Sequence, residues 1–280
     1  TLYDNPVLPF KFTDWTENHI WVHKQPIPLW TMSLSMSVFG VNEIALRLPS
    51  IILSTLGIWI TYYIARDLFN KRVGIIAAFL FSIHGLIIEL TAGRVTTDHI
   101  DIFFLFFIQL SVLFAIRFFQ TYKSYFNLLC GISIGLAILS KWLPALIVIP
   151  IWLLLALDSK KLSTKSIITN LSLILFAAIA VSLPWQIYIF QNFTKEAIWE
   201  SSFNLKLITH SLEDHGQPFY YHFDKVRVMY GELIYIPMIW FFYKSFKKIH
   251  NYKRLIITIW ILIPFLFFSI ATTKMKPYTL

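Results

Sequence analysis

The segment Arg94-Val95-Thr96-Thr97-Asp98-His99-Ile100-Asp101 sets an arginine, a histidine and two carboxylates between two apolar runs, with Glu89 just upstream. Asp98 and Asp101 are three residues apart and share one face of a helix that begins there. Carboxylates at the lip of a membrane are costly unless paired or hydrated, and they often mark a site. The competing reading is structural: Asp98 caps the helix and Asp101 pairs with Arg94. Three further stretches could do chemistry. His23-Lys24-Gln25-Pro26 puts a lysine at lipid headgroup level, as a phosphate clamp or as an interfacial snorkelling lysine. Lys141, in Gly135-Leu136-Ala137-Ile138-Leu139-Ser140-Lys141-Trp142, breaks an otherwise apolar run, and binding a phosphate is a good reason for a cation there. The loop from His210 to Tyr221 gathers His210, Glu213, Asp214, His215, Pro218, Tyr220 and Tyr221, which suit sugar stacking and hydrogen bonding. A divalent metal would find histidines and carboxylates there, but the spacing fits no tight ligand motif, so the sequence supports no cofactor.

The elements that must position these residues are membrane-spanning helices. Of the 280 residues 57% are hydrophobic and 14% charged, with a mean hydropathy of +0.64. Soluble domains carry about 25% charged residues, so a water-soluble fold is excluded. Eight apolar segments approach the ~20 residues a spanning helix needs: 44–66, 73–92, 100–119, 125–140, 142–157, 167–190, 229–243 and 254–271. The run Pro28–Phe39 is too short to cross and reads as a helix lying on the membrane surface. The expected fold is all-α: a polytopic helical bundle with juxtamembrane helices and loops on its outer face. The chain starts in a polar stretch without Met and stops soon after Lys276, and so reads as a piece of a longer protein. The single cysteine, Cys130, cannot form an internal disulfide.

Charge sets the orientation. With the N-terminal segment outside, the cytoplasmic loops 66–72, 117–124, 158–165 and 244–254 hold 13 of the 24 Lys/Arg and only two of the 15 acidic residues. The net charge of +9 is therefore topological, and nucleic acid is not an expected partner. Both long polar segments, 1–27 and 191–228, fall outside with six of the eight histidines. There is no GxGxxG, no Walker-type loop and no HExxH. An enzyme built this way draws its donor from the lipid phase.

The motifs, in order, resemble the polytopic glycosyltransferases of the GT-C type, the aminoarabinose transferase and protein O-mannosyltransferase relatives. The resemblance rests on His23-Lys24-Gln25-Pro26-Ile27, Phe39-Gly40-Val41-Asn42-Glu43 with Arg47-Leu48-Pro49-Ser50, Arg94 to Asp98, and Gly135 to Lys141. It continues through Leu183-Pro184-Trp185, His215 to Tyr221, and Lys274-Met275-Lys276-Pro277-Tyr278. It implies transfer of a sugar from a polyprenyl-phosphate carrier to a lipid, protein or glycan acceptor, at the periplasmic side of a bacterial inner membrane. Lys24 and Lys141 would contact the phosphate, with Lys274 and Lys276 as further candidates. Asp98 with Arg94 would stand at the reacting site, and His23, His215, Tyr220 and Tyr221 would line it. The resemblance places the family's principal acidic residue upstream of Thr1. His23 stands where some relatives have Glu, so no metal role carries over to it. A carrier or flippase for a polyprenyl-linked substrate is the alternative, but neither an internal repeat nor a midplane charge pair supports it.

Overall fold

The computed structural model describes residues 22, 24–94, 100–210, 216–247 and 252–274. Among them the chain is all-α, with twelve α-helices and two short 3-10 turns. The first helix, α1 (Pro26–Phe39), starts two residues before the expected surface run because Pro26 occupies its first turn, where a missing N–H costs nothing. It ends at Gly40, whose φ of +82° a glycine adopts without strain. Trp30, Leu34 and Val38 lie exposed along one side, as suits a helix resting at a lipid interface.

All eight apolar segments are helical. In α2 (Glu43–Leu68), the Asn42 side chain caps the start by accepting from Ala45 N at 2.8 Å. The second segment is broken. Here α3 (Lys71–Ser82) and α4 (Gly85–Thr91) are bent by 50°, and His84 Nδ1 caps the second piece at Ile87 N. After α5 (Ile100–Thr121) and α6 (Tyr125–Lys141), Pro144 helps force a 3-10 turn, Leu143–Ile147, before α7 (Val148–Ser159). The long α8 (Thr164–Asn192) turns into α9 (Thr194–Thr209), and α10 (Tyr221–Tyr230) follows on the same side. Last come the 3-10 turn Glu232–Ile234, α11 (Tyr235–Lys247) and α12 (Tyr252–Ile270).

Four helices, α2, α5, α8 and α12, are long and apolar enough to cross a membrane by themselves, and the bent α3–α4 pair makes a fifth if taken as one span. The chain is thus a multi-pass integral membrane protein. The other three of the eight apolar segments form shorter helices. The 17-residue α6 is about 25 Å long, less than the ~30 Å hydrocarbon core, and α11 is shorter still at 13 residues. Lys141 is the last residue of the short α6.

The centre of the bundle is α5, α6, α7 and α8. Gly131 and Gly135, one helical turn apart on α6, let α8 come close: a Cβ on Gly135 would lie 2.6 Å from Val181 Cβ, and one on Gly131 2.4 Å from the Ile174 carbonyl oxygen. Small residues at that spacing are how membrane helices approach. Buried polar groups pair across the same helices. Asn127 donates to Asn170 Oδ1 at 2.8 Å and accepts from Trp152 Nε1 at 3.0 Å. At the cytoplasmic end Arg66 and Arg117 share the carboxylate of Asp67, which closes α2 against α5. Large apolar side chains such as Trp59, Phe79, Phe176 and Ile239 face outward, the reverse of a soluble surface.

Candidate functional site

The α5–α6 hairpin brings two helix ends together on the outer side. Asp101 lies in the first turn of α5 and Lys141 is the last residue of α6. Each charge suits its helix end, a carboxylate at the positive N-terminus and an ammonium at the negative C-terminus. Their side chains form an ion pair, with Asp101 8% and Lys141 25% exposed. This corrects the sequence-based pairing of Asp101 with Arg94. Arg94 is exposed, and its backbone N–H donates to the Glu89 carbonyl at 2.8 Å.

The Lys24 segment docks on the outer end of α8. Gln25, 3% exposed, accepts from Gln186 Nε2 at 3.1 Å, and Trp30 meets Trp185 edge to face with ring centroids 5.4 Å apart. The Leu183-Pro184-Trp185 stretch therefore serves as a platform for the segment carrying Lys24, which is itself half-buried.

A second group of contacts ties the outer loop to the segment after α12. Gly216 and Thr273 form an antiparallel bridge. Thr272 N donates to the Ile208 carbonyl at 3.0 Å and Thr273 Oγ1 to the His210 carbonyl at 2.9 Å. This clasp carries Lys274, which is 4% exposed and donates through Nζ to the Ala271 carbonyl at 2.6 Å. Burial pushes the Lys274 ammonium below its ordinary pKa. His222, on the first turn of α10, is 1% exposed. Burial above all, and then the charge of Lys274, pushes its pKa down to about 4, against a backbone hydrogen bond at Phe268 that acts the other way.

From there α10 bridges the mouth of the bundle. Phe223 packs on Phe265 of α12 at 4.6 Å, and at the other end Tyr230 meets His84 at 4.9 Å. Met229 joins the cluster of Leu86, Ile87, Leu90 and Ile102, the last of these adjacent to Asp101. Tyr220 is exposed and Tyr221 half-buried, with Lys225 Nζ 5.1 Å from the Tyr221 ring centre. His23, Asp98, His215 and Lys276 lie outside the described residues. Among the described residues no group of three or more His, Cys, Asp or Glu side chains could hold a metal ion. Sequence reasoning gave no separate role to His222 or Gln25. The only signal for His222 was its place directly after Tyr220 and Tyr221.

A family model described as dolichyl-phosphate-mannose-protein mannosyltransferase matches residues 23–185, more than half of the chain. The chain belongs to this family. The matched part of this mannosyltransferase family member runs from His23 to Trp185 and so holds Lys24, the Arg94–Asp101 segment and Lys141, but not the clasp. The chain is similar to the undecaprenyl phosphate-alpha-4-amino-4-deoxy-L-arabinose arabinosyl transferase of Pseudomonas aeruginosa PAO1, 23% identical over 95% of this chain and 49% of the relative. An uncharacterized protein of Aquifex aeolicus is 26% identical over 92% of this chain and 50% of its own length. The chain thus spans about half the length of the curated relatives it matches. Among solved structures, the crystal structure of ArnT from Cupriavidus metallidurans bound to undecaprenyl phosphate superposes with a TM-score of 0.67 at 19% identity, covering 92% of this chain and 47% of that one. Its apo state gives 0.68. That likeness shows a shared polytopic helical fold.

Proposed function

We propose that the chain forms the membrane core of a glycosyltransferase that moves a sugar from a polyprenyl-phosphate donor to an acceptor at the outer, periplasmic face of a bacterial inner membrane. The observation that supports this reading is the Asp101–Lys141 ion pair, which joins the first turn of α5 to the last residue of α6 on the side that the Lys/Arg distribution makes the outer one. The reaction needs two things there. The acceptor hydroxyl must lose a proton as its oxygen bonds to the sugar's anomeric carbon, and the phosphate must carry away the electron pair of the broken C–O bond. Asp98, which the sequence places three residues before Asp101, is the candidate base, with Arg94 beside it in the chain. Asp101 is a positioning residue: its carboxylate accepts from Lys141 and keeps that ammonium oriented. Lys24, at headgroup level, faces the donor, with His23, His215, Tyr220 and Tyr221 lining the sugar side. The arabinosyl transferase activity of the relatives, and the undecaprenyl phosphate bound in the ArnT crystal, support a lipid-linked donor.

The test uses full-length protein reconstituted in liposomes with a panel of polyprenyl-phosphate sugars and crude acceptor lipid. The expected result is covalent transfer with release of polyprenyl phosphate. Movement of the intact donor across the bilayer without bond cleavage would establish the carrier reading instead.

A further inference from the structure

Helix starts on the two faces of the bundle carry opposite charge. On the outer side α2, α5, α9 and α10 have Glu43, Asp101, Glu196 and Asp224 in their first turns, where a carboxylate meets the positive end of the helix. On the cytoplasmic side α3, α8 and α12 have no acid in the first turn, and Lys71, Arg72, Lys165, Lys253 and Arg254 stand there instead. Cations at that end are disfavoured unless an anion answers them. The cytoplasmic loops supply only two carboxylates, and Asp67 is held by Arg66 and Arg117. The other, Asp158, lies exposed at the end of α7, with Lys160 and Lys161 next along the chain.

The imbalance is greatest where α11 meets α12. Lys244 and Lys247 lie in the last turn of α11, Lys253 and Arg254 in the first turn of α12, and the sequence has no Asp or Glu from Leu233 to Leu280. Packed along α12 is α7, whose Asp158 can answer one of these charges at most. Trp240, Tyr243, Lys244 and Lys247 share one face of α11 at helical spacing. Trp240 and Tyr243 are exposed on it. The Lys247 ammonium donates to the Tyr243 hydroxyl at 3.4 Å, and the Lys244 ammonium stands 5.9 Å from the Trp240 ring centre. Two cations are thus held at the level of a Trp and a Tyr, the residues that mark the headgroup boundary of a bilayer.

We propose that Lys244 and Lys247, with Lys253 across the turn, bind the phosphate of an anionic phospholipid in the cytoplasmic leaflet. The phosphodiester brings the negative charge that this end of the chain lacks. Its acyl chains find Ile236, Ile239 and Trp240, all exposed along the same side of α11, which a soluble anion could not use. Lipid held there also steadies a helix with little packing of its own, since Ser245 is the one buried residue of α11. The surface lies on the opposite side of the membrane from Lys24 and Lys141 and is independent of the sugar-transfer reading. A lysine that only snorkels needs a polar interface of any charge, so headgroup charge is the variable that separates the two roles.

The experiment is thermal unfolding of the full-length protein in nanodiscs of phosphatidylcholine alone and of equal parts phosphatidylcholine and phosphatidylglycerol. Wild type should unfold at a higher temperature in the mixed discs, and the gain should shrink as salt rises. Lys244→Gln/Lys247→Gln/Lys253→Gln should at least match wild type in phosphatidylcholine and lose most of that gain. Each cation near an anionic surface is worth about a fivefold change in affinity, so titration of the detergent-solubilised variant with phosphatidylglycerol should show binding weaker by on the order of a hundredfold. Arginine at the same three positions should keep the gain. Lys71→Gln/Lys123→Gln/Lys165→Gln, which removes three exposed cations elsewhere on this face, should leave most of it. An equal loss in that variant would make the attraction a diffuse property of the face and overturn the localised site. Wild type that gains nothing from phosphatidylglycerol would overturn the proposal outright. So would a glutamine variant destabilised equally in both discs, since the cations would then only fasten the turn. A gain reproduced by inorganic phosphate added to phosphatidylcholine discs would overturn the assignment to lipid.

Discussion

Lys141, the last residue of α6, donates to the carboxylate of Asp101 in the first turn of α5, forty positions away in sequence. The two charges close the outer end of the α5–α6 hairpin, and each occupies the helix terminus whose dipole favours it. Because Asp101 is buried, the pair behaves unlike a surface salt bridge. Removing one partner strands the other. Asp101→Asn or Lys141→Gln alone should each lower unfolding stability by on the order of 2–3 kcal/mol, and the double substitution should recover most of that loss. A double-mutant cycle by thermal or denaturant unfolding checks it; additive losses would mean that the two groups are not coupled.

The α6–α8 contact depends on the small size of Gly131 and Gly135. Gly135→Ala places a methyl 2.6 Å from Val181 Cβ and 2.9 Å from the Ala178 carbonyl, so it should cost about 1–3 kcal/mol of stability. Gly85→Ala, which meets nothing within 4 Å, should be neutral or slightly stabilising in the first turn of α4. Equal effects at the two glycines in parallel melting curves would refute the close-packing explanation.

His222 makes stability depend on acidity. Its pKa is about 4 in the folded protein against 6.5 for a free imidazole, so the unfolded chain takes up this proton first as pH falls. The contribution is complete above pH 6.5 and is lost progressively toward about pH 4, by on the order of 3 kcal/mol. Carboxylates titrate in the same window, so the readout is the difference between wild type and His222→Gln. Wild type should lose stability more steeply than the variant on acidification; parallel curves would mean that His222 is not held neutral by burial.

Orientation can be checked without any activity. Tyr220 is 60% exposed on the outer side and Lys165 is exposed in the first turn of α8 on the cytoplasmic side, while the native Cys130 is buried and silent. A membrane-impermeant maleimide applied to intact cells should label Tyr220→Cys and should reach Lys165→Cys only after permeabilisation. The reverse pattern would invert the topology.

Much of this architecture is legible in the residues. Apolar length and the Lys/Arg-rich loops locate the helices of the eight apolar segments, but not α9 and α10, which fall in the stretch read only as polar, and the surface run is read from Pro28 although α1 begins at Pro26. Span length was less legible, because hydropathy runs on through Ile83-His84-Gly85 although the helix axis bends there, and it does not register how little of α11 is helical. The site was readable in its residue types and not in its pairs. Arg94 lies close to Asp101 in sequence, but the partner is set by which helix ends meet, and that depends on glycine-mediated packing between α6 and α8. His222 escaped notice because its distinguishing property is burial beside Lys274, brought about by a clasp between segments more than fifty positions apart.

The most direct measurement is the sugar-transfer rate of the full-length Asp101→Asn/Lys141→Gln double variant, reconstituted with polyprenyl-phosphate sugar and compared with wild type at matched folded fraction. With both charges of the pair removed together, the fold should persist while transfer falls by at least about a hundredfold, roughly the contribution of positioned charge in such a step, with weaker donor binding as part of that loss. Transfer at the wild-type rate would show that the pair merely fastens two helices and that the chemistry is done elsewhere.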